Sequence, residues 1–166
     1  GGTKISGFNF LATNEFRKGI INPEDPTDIL WSLEPDTDLP DGYRMACTSF
    51  GDEVVWIGGA QIAYNFDGLA YAGGAVVQPH QEIRTFNSFT NSWSFFEDSP
   101  FAAMDLRGIA KVADDEWIIA GGITTDAQVT NAVYRIRRAA VSTQNASISG
   151  LKVFCSSDLL VIGCLL

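Results

Sequence analysis

Three segments of this chain share one design. "DEVVWIGGA" (residues 52–60), "DGLAYAGGA" (67–75) and "DEWIIAGGI" (115–123) each set an aspartate six residues before a glycine pair, with an apolar run between them. The pairs are Gly58–Gly59, Gly73–Gly74 and Gly121–Gly122. Three occurrences in 166 residues make this an internal repeat. An aspartate opens a tight turn because its carboxylate bonds nearby backbone amides. The apolar run, with no strict alternation, is expected to be a strand buried on both faces. A glycine pair has no side chains, so the backbone can bend or lie close to a neighbour. Where many strands converge on one axis, only such small residues fit.

A second marker recurs around the first. "LWSLEPDTDLPDGYR" (30–44) and "SWSFFEDSPFAAMDLR" (92–107) both carry Trp-Ser, an acidic patch, Pro and Arg. Arg44 lies fourteen residues before Gly58, and Arg107 fourteen before Gly121. "EIRTFNSFTNSW" (82–93) then supplies a strand, a polar turn and the next Trp. With 16 Gly, 11 Phe and turn residues spread along the length, the chain reads as all-β with many short strands. Even residues 131–140 read as a strand, since Val133 and Ile136 are β-branched and Tyr134 is aromatic.

This order resembles the kelch repeat, in which a glycine pair ends a blade's second strand, an aromatic sits in the third and a Trp opens the fourth. Gly73, Gly74, Phe86 and Trp93 match in one unit, and Gly121, Gly122 and Tyr134 in another, with no Trp after it. The Gly73–Gly121 spacing of 48 residues is close to the roughly 50 of a kelch unit. The resemblance implies four-stranded antiparallel blades around an axis, about three of them here, and so an incomplete propeller. It also implies that Trp31 and Trp93 pack between blades. Gly58 and Gly73 are too close for two blades, so one repeat holds an extra hairpin. "QIAYNFDGLAYAGG" (61–74) is the candidate, with Asp-Gly favouring a type I′ turn. Either that hairpin or the pair of strands between Arg44 and Gly58 forms the inner half of its blade. Gly1–Gly2 reads as the tail of an earlier unit, with residues 5–11 its third strand and 29–33 its fourth; on this reading the chain is a piece of a longer propeller.

Residues 1–140 are therefore expected to be propeller blades, and 141–166 a C-terminal strand segment. Within the latter, "LKVF" (151–154) with Ser157 and Asp158 resembles the sorting domain of the Bacteroidetes type IX secretion pathway, without its Pro-rich centre. That resemblance implies a secreted or cell-surface protein; an ordinary closing strand is the alternative.

A formal charge of −9 repels phosphate backbones, so nucleic acid is not an expected partner. The longest apolar run, 159–166, is too short to span a bilayer. Cys47, Cys155 and Cys164 form neither a disulfide framework nor a zinc motif; they read as small buried hydrophobes, with a Cys155–Cys164 bridge open if the chain is exported. The single histidine, His80, reads as an exposed loop residue rather than a catalytic base. The acids Glu34, Asp36, Asp38 and Asp41 lack calcium-loop spacing and read as a solvated turn. Trp56 and Trp117 fall inside apolar strands and read as core. "NAS" (145–147) fits a glycosylation acceptor and carries little weight. Arg135 and Arg137, at alternate strand positions, are expected to share a solvent face.

No catalytic residue, cofactor or metal follows from these patterns. The expected function is a non-enzymatic binding module for protein or glycan. Its recognition loops are 75–81, with Gln78, His80 and Gln81, and 124–130, with Thr124, Asp126 and Gln128; they vary while the strands repeat. The alternative is a carbohydrate-active propeller enzyme of sialidase, epimerase or oxidase type whose site lies largely in other blades. Pairing with further blades or with another chain is a third expectation.

Overall fold

The computed structural model describes residues 2–34, 39–96, 102–106, 109–114, 116–139, 152–156 and 159–165. Among these residues there is no α-helix; the elements are thirteen strands and one 3-10 turn. The sheets are small and mostly antiparallel, do not close into a barrel, and are compatible with an incomplete propeller.

The complete unit is a four-stranded meander: β5 (Ala46–Phe50), β6 (Glu53–Ile57), β7 (Ile83–Asn87) and β8 (Ser92–Phe96), in that spatial order. The strands between Arg44 and Gly58 are thus the inner pair, joined by a tight turn at Gly51, whose φ is +57°. The hairpin candidate at 61–74 is an excursion between β6 and β7. It holds only isolated bridges, Tyr64 to Ala70 and Leu69 to Val76. Gly68 has φ +80° while Asp67 does not take positive φ, so the turn is not type I′, which needs both. Asn65 closes it instead: its side-chain oxygen accepts from the Asp67 and Leu69 amides.

The glycine pairs separate into two kinds. Gly58 (φ +62°), Gly59 (+84°), Gly121 (+75°) and Gly122 (+109°) follow β6 and β10 directly. A Cβ on Gly58 would sit 2.4 Å from the Ala103 carbonyl oxygen, and one on Gly59 2.7 Å from that of Tyr43. Here the backbone approach itself excludes side chains. Gly73 and Gly74 also have positive φ, but they lie in an exposed turn where a Cβ would meet nothing within 4 Å. The expected close of a second strand at Gly73–Gly74 is therefore corrected: Gly58–Gly59 does that work, and Gly73–Gly74 only turns the excursion.

The last sheet has the order β12 (Lys152–Ser156), β13 (Leu159–Leu165), β11 (Val133–Ala139), β10 (Glu116–Ala120), β9 (Ala110–Ala113). Strand β13 runs parallel to β11, where the repeat would place an antiparallel fourth strand. The C-terminal strands thus extend this sheet. Cys155 lies opposite Leu160 in the β12–β13 register, four residues from Cys164, or roughly 13 Å along the strand. A bridge between them does not fit, because disulfides need Cα atoms within about 7 Å. Cys47, expected to be buried, is exposed.

The N-terminal third forms two hairpins. Residues 5–11 are not one strand: β1 (Thr3–Ser6) and β2 (Asn9–Ala12) pair around Gly7. The third strand is β3 (Arg17–Ile21), paired with β4 (Ile29–Leu33) at the residues expected for the fourth.

The β5–β8 sheet is packed on both faces. On one, Trp56, Phe86 and Trp93 receive the Phe16 ring at centroid distances of 5.9, 4.9 and 5.0 Å. On the other, Ala46, Ile57 and Ile83 meet Ile119, Ala103 and Leu106 in a buried cluster flanked by Tyr134 and Ile136. Trp117 is 1% exposed and lies against Phe50, 4.2 Å between centroids. Successive sheets therefore bury their faces against one another, the arrangement that alternation on two-sided strands demands. No helix is long and apolar enough to cross a membrane among the described residues.

Candidate functional site

The two ends of the β5–β8 sheet differ. One carries only the short turns after Phe50 and Asn87. The other, the glycine-pair end, carries the excursion from β6 to β7 and the entry of the chain at Tyr43–Met45. Backbone bonds at that end recur three times. The carbonyl of the second glycine accepts from an amide near the start of the third strand: Gly2 from Thr13, Gly59 from His80, Gly122 from Thr130. The amide of Gly2 donates to Gly42 as that of Gly59 donates to Ala103. Tyr43 exchanges two bonds with Ala60, and Met104 exchanges two with Ile123. "TNEFR" (13–17), "HQEIR" (80–84) and "TNAVY" (130–134) are thus the same structural position.

This register explains His80. Its side chain is 9% exposed, not the exposed loop histidine expected from the sequence. Its Nδ1 lies 3.4 Å from Glu82 Oε1, and Nε2 is buried without a hydrogen-bond partner. Burial pushes the imidazole pKa below its ordinary value; Glu82 opposes that shift and Arg84 adds to it. Glu82 also takes two bonds from Arg84, 3.0 Å from Nε and 2.8 Å from Nη2. Arg84 is 4% exposed and donates to the Pro40 and Asp41 carbonyls at 2.6 and 3.2 Å. It clamps the chain entering the sheet to β7.

Beside the clamp lies a polar–aromatic cluster that was not legible in the sequence. Arg44 Nη1 is 3.2 Å from Asp105 Oδ1, and its guanidinium lies 5.0 Å from the centroids of both Tyr43 and Tyr64. The Asp105 amide donates to the Tyr64 hydroxyl at 2.6 Å. Burial lifts the Tyr64 hydroxyl pKa well above its usual range, and the Asp105 charge adds to it. Arg44 and Asp105 hold left-handed backbone, φ +51° and +58°, rare for residues with a Cβ and costing about 1–3 kcal/mol each. Both follow the residue that bridges to the glycine-pair segment, so strain recurs at the same place in two repeats.

Above this layer the loops pack on their own apolar base of Ala60, Tyr64, Val77, Met104 and Ile123, with Ala127 against it. A cleft of about 290 Å³ opens between the β1–β2 hairpin and the excursion, lined among others by Lys4, Phe10, Asp41, Gln61 and Ile62. Phe10 and Tyr71, 5.0 Å apart and each about two-fifths exposed, stand at this surface.

Of the loop residues expected to recognise a partner, Gln78, Gln81, Asp126 and Gln128 are exposed, and Thr124 is half-buried with its hydroxyl donating to the Gln128 carbonyl. Trp93 packs between elements as expected, but Trp31 is 61% exposed. Arg135 pairs with Glu116 while its side chain stays 41% exposed, and Arg137 is exposed as well. Arg107, Asp36, Asp38, Asp115, residues 145–147, Leu151, Ser157 and Asp158 lie outside the described residues. Sequence reading missed Tyr43, Tyr64, Glu82, Arg84 and Asp105. For Glu82 and Arg84 a signal existed, since Glu-x-Arg recurs at Glu15 and Arg17. Arg44 was marked by its place at the head of a repeat, where an arginine is expected to bond backbone or acids, but nothing marked Asp105, 61 residues away, as its partner. No protein-family model matches the chain, and no curated protein matches it.

Proposed function

We propose that the chain is a kelch-like propeller segment that acts as a non-enzymatic binding module of a secreted or surface bacterial protein, recognising protein or glycan through loops at the glycine-pair end. The observation that carries this reading is the asymmetry of the sheets. Tight turns occupy one end, while the other gathers the long excursions, the cleft beside Phe10 and Tyr71, and the exposed polar side chains Gln78, Gln81, Asp126 and Gln128. A rigid scaffold with variable polar loops over an apolar base suits recognition. Replacing those four side chains with Ala is expected to abolish capture on glycan arrays and in pull-downs while leaving the unfolding midpoint unchanged. Retained capture would count against these loops. Export is tested by appending residues 141–166 to a reporter in a host with type IX secretion; a reporter left inside the cell would remove the surface assignment.

A second reading, a carbohydrate-active propeller enzyme, is favoured by one observation: Arg44, Asp105, Tyr43 and Tyr64 converge where two chain segments enter their sheets. A guanidinium, a carboxylate and phenols at such a place suit a carboxylated or hydroxyl-rich sugar. It predicts glycan turnover that Asp105→Asn abolishes; no turnover on a broad glycan panel leaves the binding reading alone.

A further inference from the structure

At the glycine-pair end Arg44 is spent on Asp105, and Arg84 on Glu82. The cleft between the β1–β2 hairpin and the excursion is built differently. Its lining includes Lys4, Asp41 and Gln61, and among the described residues none of these three side chains makes a hydrogen bond or ion pair within the chain. The apolar part of the wall includes Phe10, Leu11 and Ile62. The Phe10 ring is 44% exposed and is braced by Tyr71 at 5.0 Å. The next junction along the repeat shows that such a cleft is not a by-product of the fold. The amides of Gly2 and Gly59 donate to Gly42 and Ala103, so Asp41 and Ala102 hold the same place in successive units. Lys4, Gln61 and Thr124 each lie two residues past the second glycine of a pair. Between the excursion and the loop after Thr124 there is close packing instead: Ala127 lies on the apolar base with Met104, and a Cβ on Gly68 would sit 3.0 Å from the Ala127 Cβ. One junction is thus filled by apolar groups, while the other is open, with unspent polar groups around an exposed ring.

We infer that this cleft holds one neutral hexopyranose residue at the end of a glycan. The inference rests on the binding reading above and names its ligand. A pyranose has an apolar face of C–H groups and hydroxyls along its edge. The face suits the exposed Phe10 ring. The hydroxyls can donate to the Asp41 carboxylate and to the Gln61 carbonyl, and accept from Lys4. The charges of Lys4 and Asp41 offset each other, so the set favours a ligand without net charge. A volume of about 290 Å³ lies at the low end of small-molecule sites, about 300–1,000 Å³, and admits one ring rather than a chain of them. A carboxylated sugar would set its charge against Asp41, and an apolar peptide side chain would strand the three polar groups.

The probes are methyl β-glucoside, methyl β-galactoside and methyl α-mannoside, titrated into the whole chain by NMR beside methyl β-glucuronide and the dipeptide Ala-Phe. At least one neutral glycoside is expected to bind saturably and to shift the amide signals of Lys4, Phe10 and Gln61. The glucuronide should bind more weakly, and the dipeptide not at all. Asp41→Asn and Phe10→Ala should each weaken the binding by about tenfold or more. Asp41→Asn keeps the side chain's shape at a group without a partner, so the unfolding midpoint should not move and the loss reports on the site. Binding of no neutral glycoside, binding indifferent to Asp41→Asn, or preference for the glucuronide or the dipeptide would overturn the inference. Glycan arrays separate it from the wider reading. Capture kept by Asp41→Asn but lost with alanines at Gln78, Gln81, Asp126 and Gln128 would overturn the cleft alone. No capture by the unmodified chain, in arrays or pull-downs, would overturn both.

Discussion

A Cβ on Gly58 would fall 2.4 Å from the Ala103 carbonyl oxygen, which accepts from the Gly59 amide and sits next to the Met104–Ile123 bridge, so it has little room to retreat. Gly58→Ala is therefore expected to cost about 3 kcal/mol or more, the left-handed penalty plus the clash. Gly73→Ala, at a similar φ in open space, should cost only the left-handed penalty of about 1–2 kcal/mol. Urea titrations of the two variants separate these cases; equal losses would show that the contact at Ala103 does not matter. His80 offers a second test at this scale. Its folded pKa lies below the ordinary 6.5, so as pH falls through that value the unfolded chain takes up a proton that the fold resists. The unfolded state then binds more protons, and stability drops until the folded imidazole titrates as well. His80→Thr, which installs the residue found at positions 13 and 130, should keep the backbone bond to Gly59 and flatten the stability profile between about pH 5 and 7. An unchanged slope would assign it to other groups.

Glu-x-Arg occurs at the start of β3 and of β7, and the two copies have different fates because their surroundings differ. The Glu15–Arg17 pair is 3.6 Å apart and open to solvent, where such pairs contribute about 0–1 kcal/mol. Arg84 is buried, holds Glu82 and satisfies two carbonyls of the entering chain. Arg84→Met should cost about 3 kcal/mol by stranding those groups, whereas Arg17→Met should stay within about 0.5 kcal/mol. Comparable effects in denaturant midpoints would show that the clamp does not anchor β7. The same contrast explains what could be read in advance. The strands containing Trp56 and Trp117 were legible from their apolar runs, and Ile29–Leu33 from its Trp-Ser marker. The run 69–72 before Gly73–Gly74 has the same local pattern as the strands before Gly58 and Gly121, yet without strand neighbours on both sides it forms only isolated bridges.

At the scale of the molecule, stability rests on faces buried between sheets. Ile57 and Ile119 come from different sheets and share one cluster, each 1% exposed. Either truncation to Ala should cost about 2–5 kcal/mol, and the double variant should depart from additivity by about 0.5 kcal/mol or more. Strict additivity in a double-mutant cycle would mean that the two sheets do not share a core. By itself the sequence determined the all-β class, the turn-and-strand grammar and the two glycine pairs that end β6 and β10, because periodicity and glycine's missing side chain act over a few residues. Tertiary structure decided which glycine pair closes a sheet, why His80 is buried and Trp31 bare, how β13 joins β11 in parallel, and that Arg44 meets Asp105. Those outcomes depend on which segments lie beside one another after folding, and local pattern carries no record of a neighbour sixty residues away.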